Sequence, residues 1–294
     1  MKKFFCLFLV VFASGGYWVY LEKVDNFSCS DLYLTTWPKK EYRELSCRAS
    51  RSEVQKILDQ PFTYLTKGRQ FYVFASHDGK YVLKFLKCQR VNFSDFYKAI
   101  PLPEFLDKSR RLRLQQKMAR VSNIFASCAL SAEKLYHGTG VLFVHLSSHP
   151  ELQKEVTLID GAGFSHRLMI DQVPFVVQLR AKPLFSTLDE LIKAKDDEAI
   201  DRRLQQLVNL VLYDSEQRVM DIDDGAIEND NLGFLQDRAI HADIGTFFYN
   251  EKGLQKKELD RLFKRYEPIV EWLEKIDPKL AERFRLKIKR AEES

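Results

Sequence analysis

Hydrophobic and polar positions along this chain change period twice, and the changes divide it. After an opening Met1-Lys2-Lys3, the residues from Phe4 to Leu21 carry no charge. That length is about the minimum for a membrane-spanning helix, and Ala13-Ser14-Gly15 also offers a small-residue signal-cleavage site. The expectation is therefore a single-pass N-terminal anchor at residues 4–21 or, alternatively, a signal peptide and a secreted product. Residues 22–50 mix charges, Ser, Thr and scattered aromatics and read as a juxtamembrane linker. A short helix is expected at 51–59. Two apolar stretches follow, Phe71–Phe74 and Tyr81–Phe85, and Asp78-Gly79 between them is a strong hairpin signal.

A helical period then runs through 104–137, with apolar positions at Leu112, Leu114, Met118, Val121, Phe125 and Cys128. Arg110, Arg111, Arg113, Lys117 and Arg120 give it a basic start, and His137-Gly138-Thr139-Gly140 is a glycine stop. Strands are expected at Val141–Leu146, Val156–Ile159 and Phe175–Leu179, with a further one near Arg167–Ile170. Beyond Pro183 the pattern turns helical. Ser186 to Asp189 reads as an N-terminal cap, and a longer helix covers about 196–214. Short strands at Leu232–Leu235 and Ala239–Ala242 precede an amphipathic helical end at 254–292. No internal repeat or low-complexity tract occurs.

Apolar content of 45% and charged content of 30% are those of an ordinary globular protein. A net charge of +5 over 294 residues is mild, and no nucleic-acid-binding motif accompanies it, so nucleic acid is not an expected partner. Cys29, Cys47, Cys88 and Cys128 are irregularly spaced without a CxxC pair, which argues against zinc. Free thiols are the simpler reading, with a Cys29–Cys47 pair possible in an exported domain. His145, His149 and His166 lack metal-ligand spacing and read as structural.

Three segments carry candidate chemistry. Gly68 lies in Leu65-Thr66-Lys67-Gly68-Arg69-Gln70-Phe71. Lys84 lies sixteen residues on, within Tyr81-Val82-Leu83-Lys84-Phe85. A lysine there is costly to bury unless it meets an anion or its tip reaches solvent; the bland alternative is the outer face of an edge strand. Downstream comes an acidic run, Asp221, Asp223, Asp224, Asn229 and Asn231, then His241-Ala242-Asp243-Ile244-Gly245. A calcium loop would need the glycine and terminal glutamate of an EF-hand at other positions.

In order and spacing these segments resemble the protein-kinase-like superfamily, over about residues 55–250. The resemblance implies an α+β, two-lobe kinase-like fold. Residues 51–182 would form a β-rich N-lobe with one long helix, and 183–294 a reduced helical C-lobe with the catalytic loop. It implies ATP and magnesium as cofactors. Gly68 and Lys84 would bind the nucleotide phosphates, and Asp224, or alternatively Asp221 or Asp223, would act as the base. Asp243, in the family's Asp-x-Gly position, would hold the metal together with Asn231. Asp224 and Asn229 have the family's spacing, whereas Asn231 stands directly before the apolar strand that normally follows the ligand.

Departures are also plain. One glycine replaces a glycine-rich loop, and Glu133 is the only acid late in the long helix. Just 49 residues follow Gly245, without the family's peptide-binding segment. The expected function is a kinase-like phosphotransferase on a membrane-anchored chain, with a lipid, sugar, small molecule or protein hydroxyl as acceptor. The alternative is an inactive pseudokinase serving as a membrane-tethered binding module.

Overall fold

The structure, a computed structural model, describes residues 27–38, 42, 45–90, 92, 100–221 and 231–293. The expected hydrophobic helix at 4–21 lies outside these residues, as do Asp223, Asp224 and Asn229. No described helix is long and apolar enough to cross a membrane.

In chain order the elements are α1 (Arg51–Ile57), β1 (Phe62–Lys67), β2 (Phe71–Ser76), β3 (Tyr81–Leu86), α2 (Glu104–Glu133), β4 (Val141–His145), β5 (Glu155–Ile159), β6 (Ser165–Met169), β7 (Phe175–Leu179) and β8 (Lys182–Pro183). They continue with α3 (Leu184–Ala194), α4 (Asp197–Glu216), β9 (Val219–Asp221), β10 (Leu232–Phe234), β11 (Ala239–His241), β12 (Phe247–Tyr249), α5 (Lys256–Lys264), α6 (Glu267–Ile276) and α7 (Pro278–Glu293). The result is mixed α/β, sheet-rich early and helical late. Contacts divide the chain into two compact units. Of the described residues, the first takes those before 44 and those within 49–118 and 145–177, and the second takes those within 44–48, 119–144 and 178–294.

In the first unit the strands lie in the order β7-β3-β2-β1-β5-β6. Asp78-Gly79 closes the β2–β3 hairpin as its sequence demands: Gly79 takes φ 71°, and Asp78 Oδ1 accepts from the Ser76 hydroxyl at 2.7 Å and the Lys80 N–H at 3.1 Å. β1, which precedes the two expected apolar stretches, pairs antiparallel with β2 through a bulge at Tyr64–Thr66 and parallel with β5. One face of the sheet is closed by aromatic rings. Phe27 meets Tyr72 and Phe74 edge-on, both at 5.1 Å between centroids, and Phe74 meets Phe85 at 5.8 Å. Each such pair adds roughly 0.5–1.5 kcal/mol beyond area burial.

At the sheet margin, Asp160 organises the β5–β6 turn. Its Oδ1 accepts from the Ala162 and Phe164 N–H groups at 2.9 and 3.0 Å, and its Oδ2 lies 2.8 Å from His166 Nε2. Burial pulls the carboxyl pKa upward, but the His166 bond and the two N–H groups hold it below the ordinary carboxylate range. A depressed folded-state pKa contributes stability above the unfolded value of about 3.9 and loses it as pH falls through the folded value. Asp160→Asn is expected to cost about 1–3 kcal/mol at pH 7. Urea unfolding at pH 7 and pH 3 checks this: the gap between wild type and variant narrows in acid.

The second unit is a helical core under small strand pairs. Leu204, Leu207 and Val211 of α4 pack with Phe263, Ile269, Leu273 and Phe284 from α5, α6 and α7. The expected single amphipathic stretch at 254–292 is three helices because Pro268 and Pro278 each sit in a first turn, where a missing N–H costs nothing. The cap expected at Ser186 is likewise displaced: α3 begins at Leu184 after Pro183, and the Ser186 and Thr187 hydroxyls donate back to the Pro183 carbonyl at 3.2 and 2.8 Å. The long helix ends at Glu133, and a separate helical turn, Tyr136–Thr139, stops at Gly140 with φ 66°.

Gly233 in β10 faces the backbone of β8. A Cβ there would lie 2.7 Å from the Lys182 carbonyl oxygen and 2.8 Å from Ala181 Cβ. Backbone cannot yield as a side-chain tip does, so Gly233→Ala is expected to lower stability by about 1–3 kcal/mol, read as a lower unfolding midpoint.

The four described cysteines are free thiols, with Cys88 and Cys128 buried and Cys29 and Cys47 half-buried. Burial first, then nearby Asp160 and Asp31, push the Cys29 thiol up to about 11.

Candidate active site

The second unit gathers distant acidic positions by pairing short strands. In the β10–β11 hairpin Leu232 faces His241, so the residues just outside the pair, Asn231 and Ala242, meet. The Ala242 N–H donates to the Asn231 carbonyl at 2.8 Å, and the Asp243 N–H reaches the same oxygen at 3.5 Å. In the β9–β12 pair Asp221 faces Phe247, which places the start of the acidic run beside the segment leaving Asp243. One small, open-mouthed pocket is lined by Asp214, Asp221, Asn231, His241, Asp243 and Arg265, among others.

Asp243 is half-buried. Its Oδ1 accepts from the Ile244 N–H at 2.7 Å and the Gly245 N–H at 3.3 Å, so the carboxylate caps its own turn. Two side chains from outside the turn fix it. The buried Ser127 hydroxyl of α2 donates to the Ile244 carbonyl at 2.6 Å and accepts from the Phe247 N–H at 2.7 Å. The buried Gln178 amide donates to the carbonyls of His241 at 3.0 Å and Thr139 at 2.7 Å.

Behind these residues lie a buried His–Asp contact and an Arg–Asp ion pair that the acidic run does not announce. His241 Nε2 is 2.7 Å from Asp214 Oδ2, with both side chains nearly excluded from water. Burial lifts the Asp214 pKa despite His241; burial also opposes charge on His241, but the Asp214 carboxylate outweighs it and raises that pKa. Arg265 Nη2 lies 3.0 Å from Asp221 Oδ2. Arg265 and Asp214 escaped the sequence reading because their partners are 44 and 27 residues away. A lone Arg in an amphipathic helix, or a lone Asp near a helix end, looks like solvated surface.

Lys84 and Gly68 belong to the first unit. Lys84 lies in β3, which runs between β2 and β7, opposite Val73. It is 6% exposed, so the outer face of an edge strand is not its place. Gly68 sits in the β1–β2 connection, its N–H donating to the Phe71 carbonyl at 2.9 Å. A Cβ there would meet nothing within 4 Å, and its φ does not demand glycine. Lys87 went unread in the sequence: its ammonium donates to the Gly68 carbonyl at 2.6 Å and lies 4.7 Å from the Tyr72 ring centroid. Glu133, the last residue of α2, is exposed.

Among the described residues no group of three or more His, Cys, Asp or Glu side chains could hold a metal ion by itself. Asn231 and Asp243 together offer two hard oxygen donors on the cavity wall. That donor set fits magnesium, which is held by one or two protein oxygens and completes its shell with water and substrate phosphates.

No protein-family model and no curated protein matches the chain. Solved structures of WbdD align with it. A medium-resolution structure of "the bifunctional kinase-methyltransferase WbdD" has 13% identity and TM-score 0.37, covering 75% of this chain and 43% of that one. A high-resolution WbdD crystal structure has 14% identity and TM-score 0.38, covering 77% and 45%. The chain thus spans less than half the length of the solved chains to which it is similar.

Proposed function

We propose that this chain is an ATP- and magnesium-dependent phosphotransferase of the protein-kinase-like type, held at a membrane by residues 4–21. One observation carries the reading: Asp221, Asn231 and Asp243, spread over 23 positions of sequence, line a single cavity. In this reading Asn231 and Asp243 hold the cation, which when bound would neutralise charge developing on the transferred phosphoryl group. In the same reading Lys84, buried in β3, grips phosphate oxygens. Gly68 puts no side chain into the open space beside the β1–β2 connection, so none stands in the way of an approaching phosphate.

For the base, the reading favours Asp224. Asp221 is engaged by Arg265, which suits it better to holding the cavity wall than to accepting a proton. A carboxylate that takes the hydroxyl proton must sit within hydrogen-bond reach of the acceptor.

Release of phosphate from the γ position of ATP tests the proposal. Wild type with magnesium is expected to turn over, and Asn231→Ala to fall by about 10²-fold, as when one preorganised electrostatic group is removed. Nucleotide binding without turnover under any acceptor would support the inactive binding module instead. Absence of nucleotide binding would overturn the phosphotransferase and leave the binding module.

A further inference from the structure

The first half of α2 carries a surface that the catalytic reading does not use. From Lys108 to Arg120 the sequence holds six lysines and arginines and no acid. Asp107, just before this run, is engaged by Arg110 and Arg111, so its charge is locally neutralised. Within the same helix Phe105 is 70% exposed and Leu112 is 54% exposed. They are seven residues apart, so they project within about 20° of each other on an α-helix. Lys108 and Arg113, both exposed, fall on opposite flanks of that line, about 60° and 80° from Phe105. Two large apolar side chains in water, bordered by cations, are out of place on a face that meets only solvent.

We infer that residues 104–118 form a docking surface for an anionic lipid bilayer. Phe105 and Leu112 enter the boundary between headgroups and acyl chains, while Lys108 and Arg113 meet lipid phosphates and carboxylates. Charge complementarity selects this occupant: an apolar stripe with basic flanks is the composition of helices that lie in a membrane interface. Each basic residue near such a surface adds attraction that falls off within a Debye length. The uncharged run Phe4–Leu21 in the same chain agrees with a bilayer nearby. The inference is independent of the phosphotransferase reading, since no cavity residue takes part.

The test is amide hydrogen exchange of residues 104–118 in the full chain, reconstituted into nanodiscs of phosphatidylcholine alone or with phosphatidylserine. Exchange is expected to slow about tenfold in the serine-containing discs, with the slowing lost in a Lys108→Glu/Arg113→Glu variant. Both positions are exposed, so the variant keeps its fold, checked by an unchanged melting temperature. Equal exchange in the two kinds of disc overturns the inference. Slowing by polyglutamate in solution, but not by the discs, would also overturn it, by assigning the surface to an acidic protein partner.

Discussion

Asp243→Asn is expected to abolish magnesium-dependent phosphoryl transfer, lowering it at least about 10²–10³-fold, while leaving the folded chain as stable as wild type. The two halves of this expectation come from different oxygens. Asp243 Oδ1 caps Ile244 and Gly245, and an asparagine carbonyl can accept the same two bonds, so the turn survives. What asparagine lacks is the negative charge with which a hard cation is held. Asp243→Ala, by contrast, removes cap and charge together and should cost stability as well as transfer, with a lost cap worth roughly 0.5–2 kcal/mol by analogy with helix caps. Phosphate release and denaturant unfolding on both variants separate the effects. If Asp243→Asn turns over normally, Asp243 is a structural cap and the cation lies elsewhere.

Ser127→Ala is expected to be among the most destabilising conservative changes in the second unit, by about 2–4 kcal/mol. Its hydroxyl is the partner of two buried backbone groups, the Ile244 carbonyl and the Phe247 N–H. Each buried group left unpaired costs about 1–3 kcal/mol. Ser131 one turn along provides the control. It is equally buried, but its hydroxyl donates only to the Ser127 carbonyl, at 2.8 Å, an oxygen that helix geometry can satisfy without it. Ser131→Ala should therefore cost about 1 kcal/mol or less. Because Ser127 holds the segment leaving Asp243 at two points, Ile244 and Phe247, its loss should also weaken nucleotide binding more than the Ser131 change does. Equal costs for the two serines would mean that the bonds from Ser127 do not hold the turn.

Sequence alone conveyed the local elements well wherever chemistry is local. Asp78-Gly79 announced its hairpin because a positive φ and a side-chain-to-backbone bond are properties of those two residues. The 3.6-residue period of the long helix was equally legible. What was missed depends on partners far along the chain. The parallel pairing of β1 with β5 joins Phe62 to Leu158, and no local pattern encodes such a register. Ser186 had the composition of a cap, yet Pro183 started the helix three residues earlier. In the cavity, Asn231 and Asp243 could be read from their strand context, but Asp214, Arg265 and Ser127 could not. Each is an ordinary residue on an amphipathic helix until tertiary packing sets it against a partner. Asp224 and Asn229 lie outside the described residues, and their roles rest on the family resemblance.

The central claim is that this chain binds ATP with magnesium through Lys84 and Asp243. Its most direct test is the melting temperature with and without a non-hydrolysable ATP analogue and magnesium, for wild type, Lys84→Ala and Asp243→Asn. A ligand that binds only the folded state stabilises it by mass action, by about 2.7 kcal/mol at a hundredfold excess over Kd. The account predicts a rise of several degrees in wild type that requires magnesium and disappears in both variants. No rise at millimolar analogue, or a rise that both variants retain, would contradict it.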